Sequence, residues 1–429
     1  MVLFENNLVT ASVLIIKSPD MIPLNNFSQN LVSNLPATPV FTGPLQKLIR
    51  LLIWLNIFTV AYKTFRNPFA AIKHTKALLS FRNKFRSAHV LNKYAKTGNR
   101  YFFTYNAPGW PSKAFNRYIT HHLKNNKYGI NNNSIHTVLL GITKKCGFQC
   151  EHCCEWENLN KPEALSGEDL LKIIHRFQDA GVTQVQFSGG EPLNRFQDIL
   201  YLLDYAKQGT DFWVLTSGYN LTEEKALLLK HHGLTGITIS LDHCDEDLHD
   251  AFRGKPGSFK RALQAAACAR HAGLAVCFSI CPTQKFISKE NLSRYAELVK
   301  EAGASFIQIL EPKAVGHYAN QPVALTSLQI NELENFYEQM NYCNKAFIHY
   351  PIISYHGYYS RRTGCAGAGK DYVYVDTDGD IHSCPFCRHK LFSALDDQLS
   401  VHLQQLKRKG CSAFGECHTT ANFIVQNKN

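Results

Sequence analysis

Four cysteines stand within nine residues in the stretch KKCGFQCEHCC, Lys144 to Cys154: Cys146, Cys150, Cys153 and Cys154. The spacing Cys146-x3-Cys150-x2-Cys153 puts three thiols in one loop. Structural zinc takes four ligands, typically as two C-x2–4-C halves, and three in a single loop fit that layout poorly. Three thiolates suit a [4Fe–4S] cluster whose fourth iron stays open to a small chelating molecule. Lys144 and Lys145 add positive charge beside the loop. A second set lies near the C-terminus: Cys365-x13-Gly379-x4-Cys384-x2-Cys387, followed by Cys411-x5-Cys417. There DTDGD, between YVYV and IHS, reads as the turn of a β-hairpin. A hairpin with C-x2-C and a distal pair is also a zinc-ribbon layout, so an iron–sulfur cluster and zinc both stand as readings. Cys244, Cys268, Cys277, Cys281 and Cys343 are scattered and read as packing residues. No Ser/His/Asp order, P-loop or HExxH helix accompanies them.

The elements that must carry the first loop repeat from residue 134 onward. Strand-like runs occur at Ser134–Thr143, Gln184–Ser188, Phe212–Ser217, Gly236–Leu241, Ala275–Ile280 and Ser305–Leu310. Helix-like segments fall near 167–180, 196–208, 222–232, 258–272 and 290–302. Ser166 with Asp169 marks a helix start, and Gly181, Gly233 and Gly273 stand where helices should stop. Alternating βα units imply a parallel sheet with right-handed crossovers, open or curled, with ligands at the C-terminal strand edge. The three-cysteine loop falls there, directly after the first strand. The repeat is expected to end at Pro312, followed by an amphipathic helix near 326–341 and an aromatic stretch.

At 429 residues with 45% hydrophobic and 19% charged residues, the chain has the composition of a globular protein with a sizeable core. The first residues lack a secretory leader pattern, so the fourteen cysteines are expected in a cytoplasmic protein, as metal or redox groups rather than disulfides. Residues 1–135 hold 17 Lys and Arg against 2 Asp and Glu; the remaining chain holds 29 against 32. The charge step sets a boundary near residue 133. Residues 1–44 read as poorly ordered and 45–133 as a basic helical extension. The uncharged run Leu51–Tyr62 is too short to cross a bilayer core of about 30 Å. The extension reads either as a helical arm packed on the rest of the chain or as an interfacial helix on anionic lipid. In the second case Trp54 and Phe58 insert, and Lys47, Arg50, Lys63 and Arg66 stand at headgroup level. Nucleic acid is a weaker partner, since basic charge alone is not specific.

The three-cysteine loop after the first strand, with FSGGEP (Phe187–Pro192) after the second, resembles the radical S-adenosylmethionine superfamily. Gly189 and Gly190 permit close backbone approach, and Glu191 can pair with an ammonium group. The resemblance implies a partial (βα)6 parallel barrel over 134–312, with the N-terminal helical extension before it. It makes Cys146, Cys150 and Cys153 cluster ligands and leaves Cys154 outside the set. It places Gly189, Gly190 and Glu191 at the methionine amino group and His152 beside the adenine. Thr216 and Ser217 end the third strand, and Ser217 belongs to the same cofactor set. Ser240, in ISLD, becomes a contact to ribose or carboxylate, and Arg253, in HDAFRGKPGSF, a partner of the methionine carboxylate, unless it is a surface helix cap. Asp242 is left as structural, and Glu311, after the last strand, as either a ligand contact or a cap.

The implied chemistry is reductive cleavage of S-adenosylmethionine at a [4Fe–4S] cluster, giving a 5′-deoxyadenosyl radical that abstracts a substrate hydrogen. A flavodoxin- or ferredoxin-type electron donor is implied as a partner. The C-terminal cysteines resemble part of a SPASM/twitch extension, a small α+β module over 365–417 after a connector at 313–364 and before a tail at 418–429. Five cysteines there (Cys365, Cys384, Cys387, Cys411 and Cys417) could supply at most four ligands to one auxiliary [4Fe–4S] cluster. The extension points to a peptide or protein substrate; a lipid or small molecule modified at the membrane surface is the alternative. A non-catalytic iron–sulfur or zinc-binding interaction protein is the third reading.

Overall fold

The structure, a computed structural model, describes residues 39–85, 91, 93–128, 135–365, 367 and 369–409. Cys411, Cys417, the tail at 418–429 and the N-terminal segment before residue 39 lie outside the described residues. The described chain begins with strand β1 (Val40–Phe41), helix α1 (Pro44–Phe65) and helix α2 (Pro68–Phe85). The hairpin β2 (Tyr94–Thr97) and β3 (Arg100–Phe102) and helix α3 (Lys113–Tyr128) follow. The extension is therefore not helical throughout: β1, β2 and β3 form an antiparallel three-stranded sheet. Helix α1 is also longer than its uncharged run. At 22 residues it is about 33 Å long, and by length and composition alone it could cross a membrane. Packing gives it a different place here. Ile49, Ile53, Ile57, Val60 and Ala61 are buried against residues of α2 and α3, in a cluster with Ala71, Phe115, Ile119 and Leu123.

The six expected strands form β4 (Thr137–Thr143), β5 (Gln184–Gly189), β6 (Asp211–Thr216), β7 (Gly236–Ser240), β8 (Ala275–Ile280) and β9 (Phe306–Ile309). They pair in sequence order, all parallel. The Ser166–Asp169 capping box starts the helix after β4 as expected. The end of the repeat at Pro312 is corrected. Strand β10 (Ile352–Tyr355), inside the expected connector, extends the sheet beside β9 in parallel. On the other edge β11 (Tyr372–Val375), from the cysteine module, pairs in parallel with β4. Its hairpin continues through β12 (Asp380–His382) and β13 (Phe392–Ser393). The sheet runs β10-β9-β8-β7-β6-β5-β4-β11-β12-β13, so no pair joins β10 to β11 and the barrel is open along that seam. The expected α/β partial barrel stands, with the cysteine module built onto its first strand.

Two anchors tie the extension to this sheet. Phe102 and Tyr105 enter the wall opposite the loop edge, packing on Trp213 and Phe306, and Tyr105 and Thr238 share a hydrogen bond of 2.9 Å. Lys93 is buried and donates to the carbonyls of Met340, Phe347, Tyr350 and Pro351 at 2.8–3.2 Å.

Candidate active site

The loop after β4 carries Cys146, Cys150, Cys153 and Cys154, and three neighbours hold its backbone. The first is the end of β5. Gly190 N donates to Thr143 O at 2.7 Å and Glu191 N to Lys145 O at 2.8 Å. A Cβ on Gly189 would stand 2.4 Å from Thr143 O, and one on Gly190 would stand 2.4 Å from Lys145 O. The glycine pair is there because two backbones touch. The second neighbour is a helix not expected from the sequence, Glu246–Arg253, whose last residues accept from Gln149 N and Glu151 N. The third is the segment after β9: His317 N donates to Cys153 O, and His317 Nδ1 meets Cys150 O at 2.9 Å. Trp156 stacks on His317 at 3.8 Å. Lys144 is not a surface residue. It is buried and pairs with Asp378 in the β11–β12 turn at 2.6 Å.

Glu191 sits at the junction of β5 and β6. Its Oε1 accepts from Leu193 N and Thr216 Oγ1, and its Oε2 from Ser217 N and Ser217 Oγ, at 2.6–3.1 Å. These four bonds fill the ordinary lone-pair directions of a carboxylate. In this geometry Glu191 ties two strand ends together, with Ser217 as its donor.

Arg253 is 7% exposed rather than on the surface. Its Nη2 pairs with Asp242 at 2.6 Å, and its Nη1 lies 3.5 Å from Cys150 Sγ. Asp242 also accepts from Cys281 N at 2.8 Å. Burial alone would raise the Asp242 carboxyl, but the Arg253 guanidinium holds it below its usual range. Breaking such a buried pair by removing one partner costs about 3–5 kcal/mol, so Asp242 is the support that aims Arg253. His152 stacks on Phe252 at 4.9 Å, and burial lowers it to about 4, which keeps the imidazole neutral near pH 7.

Burial pushes the Cys146 thiol up to about 11 and raises Cys153 further. Cys154 is pushed up to about 12 by burial, with Glu155 next to it, and Arg388 and Cys384 of the C-terminal module lie within its electrostatic reach. That module meets the loop through Glu155, which accepts from Tyr374 Oη at 2.8 Å and pairs with Arg388 at 2.5 Å. Within the module the Cys384 and Cys387 sulfurs are 3.4 Å apart. Gly367 N donates to Cys365 Sγ at 3.3 Å, and the same glycine abuts Ser383 O, one residue before Cys384. Among the described residues no three His, Cys, Asp or Glu side chains converge as ligands of one ion. A cluster distributes its thiolates over separate irons and does not ask for that convergence.

Cys146, Cys150, Cys153, His152, Gly189, Gly190, Glu191, Ser217, Ser240 and Arg253 all line one cavity of about 960 Å3. Cys365 lines it too; Cys384 and Cys387 stand outside its wall, which there is formed by Pro385 and Phe386. Glu311, left open between ligand contact and cap, is a wall residue of the seam side, and sequence reasoning missed Lys313 and Tyr359 beside it. Glu311 is bonded to Tyr355 Oη and Arg361 at 2.6 Å each. Strand β10 and the helix His356–Thr363 bring them there, and neither was legible as part of the sheet.

The donor set fits a cluster with a chelated cofactor. Three thiols share one loop, two glycines bring the β5 backbone against it, and His152 Nδ1 and Arg253 Nε are buried on the same wall with no hydrogen-bond partner among the described residues.

Comparison with known proteins agrees. Residues 140–299 match the Radical SAM superfamily. The chain is 30% identical over 263 residues to the mycofactocin maturase MftC of Mycobacterium tuberculosis (strain ATCC 25618 / H37Rv), covering 59% of this chain and 65% of that protein. It is 30% identical over 161 residues to the AdoMet-dependent heme synthase of Nitratidesulfovibrio vulgaris, covering 37% and 42%. The matched stretch thus spans less than two thirds of the length of these relatives. Among solved structures, Streptococcus suis SuiB bound to the precursor peptide SuiA superposes with a TM-score of 0.54 at 16% identity, covering 82% of this chain and 80% of SuiB. By this domain match and the three-cysteine loop within it, residues 140–299 form a radical SAM domain.

Proposed function

We propose that this chain is a radical SAM enzyme that abstracts a hydrogen atom from a substrate held in the seam cavity. The observation that carries this reading is the single wall shared by the three-cysteine loop, the glycine pair, Ser240 and Arg253. When bound, a [4Fe–4S] cluster and S-adenosylmethionine supply a reductively generated 5′-deoxyadenosyl radical. The protein's own work is to bind, orient and shield. Cys146, Cys150 and Cys153 hold the cluster, and Cys154 stays out of the set. The backbone at Gly189 and Gly190 receives the methionine end, with Glu191 fixing the strand ends that present it. Arg253, aimed by Asp242, holds the carboxylate, with Ser240 lining the ribose side. His152 stays neutral beside the adenine.

A peptide or protein substrate is supported by the names of the relatives, a maturase and a structure solved with a precursor peptide. A lipid or small molecule at the membrane surface is the second reading, supported by the reach of the same cavity to the inner side of α1. An auxiliary cluster on Cys365, Cys384 and Cys387, completed by Cys411 or Cys417, and a flavodoxin- or ferredoxin-type donor complete the proposal. The reading is tested by anaerobic reconstitution followed by reduction with S-adenosylmethionine. It expects about four irons per core cluster and release of 5′-deoxyadenosine. Zinc as the sole bound metal with no cleavage would sink it.

A further inference from the structure

We infer that the far half of the seam cavity holds the apolar chain of a membrane lipid, which α1 delivers from an anionic bilayer. The inference rests on the hydrogen-abstraction reading and narrows its second substrate class. The cavity that begins at Cys146 and Arg253 continues past Leu139 on β4 and ends between the three N-terminal helices. Its walls there include Ile53, Trp54, Ile57, Phe115, Tyr118 and Ile119. An extended peptide would bring an N–H and a C=O at every residue, each needing a partner. A hydrocarbon chain asks for none, and the apolar members of this wall suit it, beside the polar Arg50, Asn106, His122 and His136.

The outer side of the same helix differs from the expectation. Trp54 and Phe58 do not point away from the protein: Trp54 lines the cavity and Phe58 packs on the α1–α3 core. Arg50 also turns inward, donating to Leu91 O at 3.1 Å. The exposed stripe consists of Leu45, Leu48, Leu51 and Leu55, each 48–55% exposed, with Leu52 beside them. These positions recur at three- and four-residue spacing, one face of a helix. On α2, Phe69 and Ile72 are exposed as well. Lys47, Lys63, Arg66, Lys73 and Lys76 are exposed on the same two helices.

Charge selects the partner for this face. Between Asp20 and Glu151 there is no acidic residue, against 18 Lys and Arg. An exposed leucine stripe among lysines, with no carboxylate to repel phosphate, is complementary to an anionic bilayer surface. One helix, about 10–12 Å across with its side chains, then separates acyl chains on its outer side from the cavity on its inner side. The reactive end of the cavity needs no activated group on the substrate, since a carbon-centred radical takes hydrogen from an aliphatic C–H.

The test uses the full reconstituted chain and vesicles of equal parts phosphatidylglycerol and phosphatidylcholine. A trace of phosphatidylglycerol carries a photoactivatable diazirine in its acyl chain. The chain is expected to pellet with these vesicles roughly tenfold more than with phosphatidylcholine alone. Irradiation is expected to label Tyr118–Ile119 and Leu139, which only a chain inside the cavity can reach. The exposed-face variant L48Q/L51Q/L55Q is expected to lose both pelleting and labelling. Three results would overturn the inference: pelleting that ignores lipid charge, labelling confined to the outer leucines, or labelling competed by a soluble peptide digest but not by unlabelled phosphatidylglycerol. Release of 5′-deoxyadenosine is measured on the same wild-type preparation. Release without cavity labelling fails this inference alone, whereas no release fails the radical reading beneath it.

Discussion

The two cysteine sets flank neighbouring elements of one sheet, the first after β4 and the second on both sides of the β11–β12 hairpin that pairs with β4, yet they are built differently. The set after β4 is one loop held by close backbone contact with β5, the helix Glu246–Arg253 and the segment at His317. The second set draws its candidates from separate stretches of chain, and its tie to the core loop runs through side chains: Lys144 to Asp378 and Glu155 to Arg388 and Tyr374. Backbone contact fixes positions within the tolerance that cofactor chemistry demands. Side-chain pairs can be lost one at a time. The core loop should therefore fail all at once under small changes, and the second set should fail by degrees.

The largest effect is expected from Cys150→Ala, which removes a core thiol whose sulfur lies 3.5 Å from Arg253 Nη1. Iron per chain should fall by about one cluster, about four irons, and 5′-deoxyadenosine release should drop to background. Gly190→Ala comes next, because its methyl would meet Lys145 O at 2.4 Å and push the loop away from β5. A displacement near 1 Å is expected to cost about 10²-fold in cleavage rate, read by chromatography of the released nucleoside. A variant with wild-type rate would break the claim that backbone contact fixes the loop. Arg388→Leu leaves Glu155 buried with only the neutral donors Tyr374 Oη and Asn158 Nδ2 among the described residues, and breaking such a pair costs about 3–5 kcal/mol. Thermal melting should show the loss, while the core cluster's spectrum persists in the folded fraction. The smallest effect is expected from Cys154→Ser, which should keep core iron and cleavage within about twofold, a change of less than 0.5 kcal/mol. Loss of the core cluster in that variant would move Cys154 into the ligand set.

This contrast also explains what could be read from the sequence. The core strands were legible because the apolar runs are followed by a helix start such as Ser166 with Asp169 or preceded by a helix stop such as Gly233. Cys146, Cys150, Cys153 and the glycine pair were legible because their spacing is local. Strand β10 was not, since IISY is four residues long, lies in an aromatic stretch and joins the sheet only through its register with β9. The helix Glu246–Arg253 is eight residues long, too short for periodicity to announce. The burial of Lys144 was not legible because its partner Asp378 lies 234 residues away. The inward turn of Trp54 and Arg50 likewise depends on α2 and α3 packing against α1, which no single helix pattern encodes.

The central claim is that three thiols, and not the fourth, hold the group that cleaves S-adenosylmethionine. The most direct measurement is release of 5′-deoxyadenosine from anaerobically reconstituted, reduced wild-type, Cys154→Ser and Cys150→Ala chains, with metal content determined on each. The account predicts release and core iron in the first two and neither in the third. Release from Cys150→Ala, or its absence from a wild-type chain loaded with iron and sulfide, would contradict it.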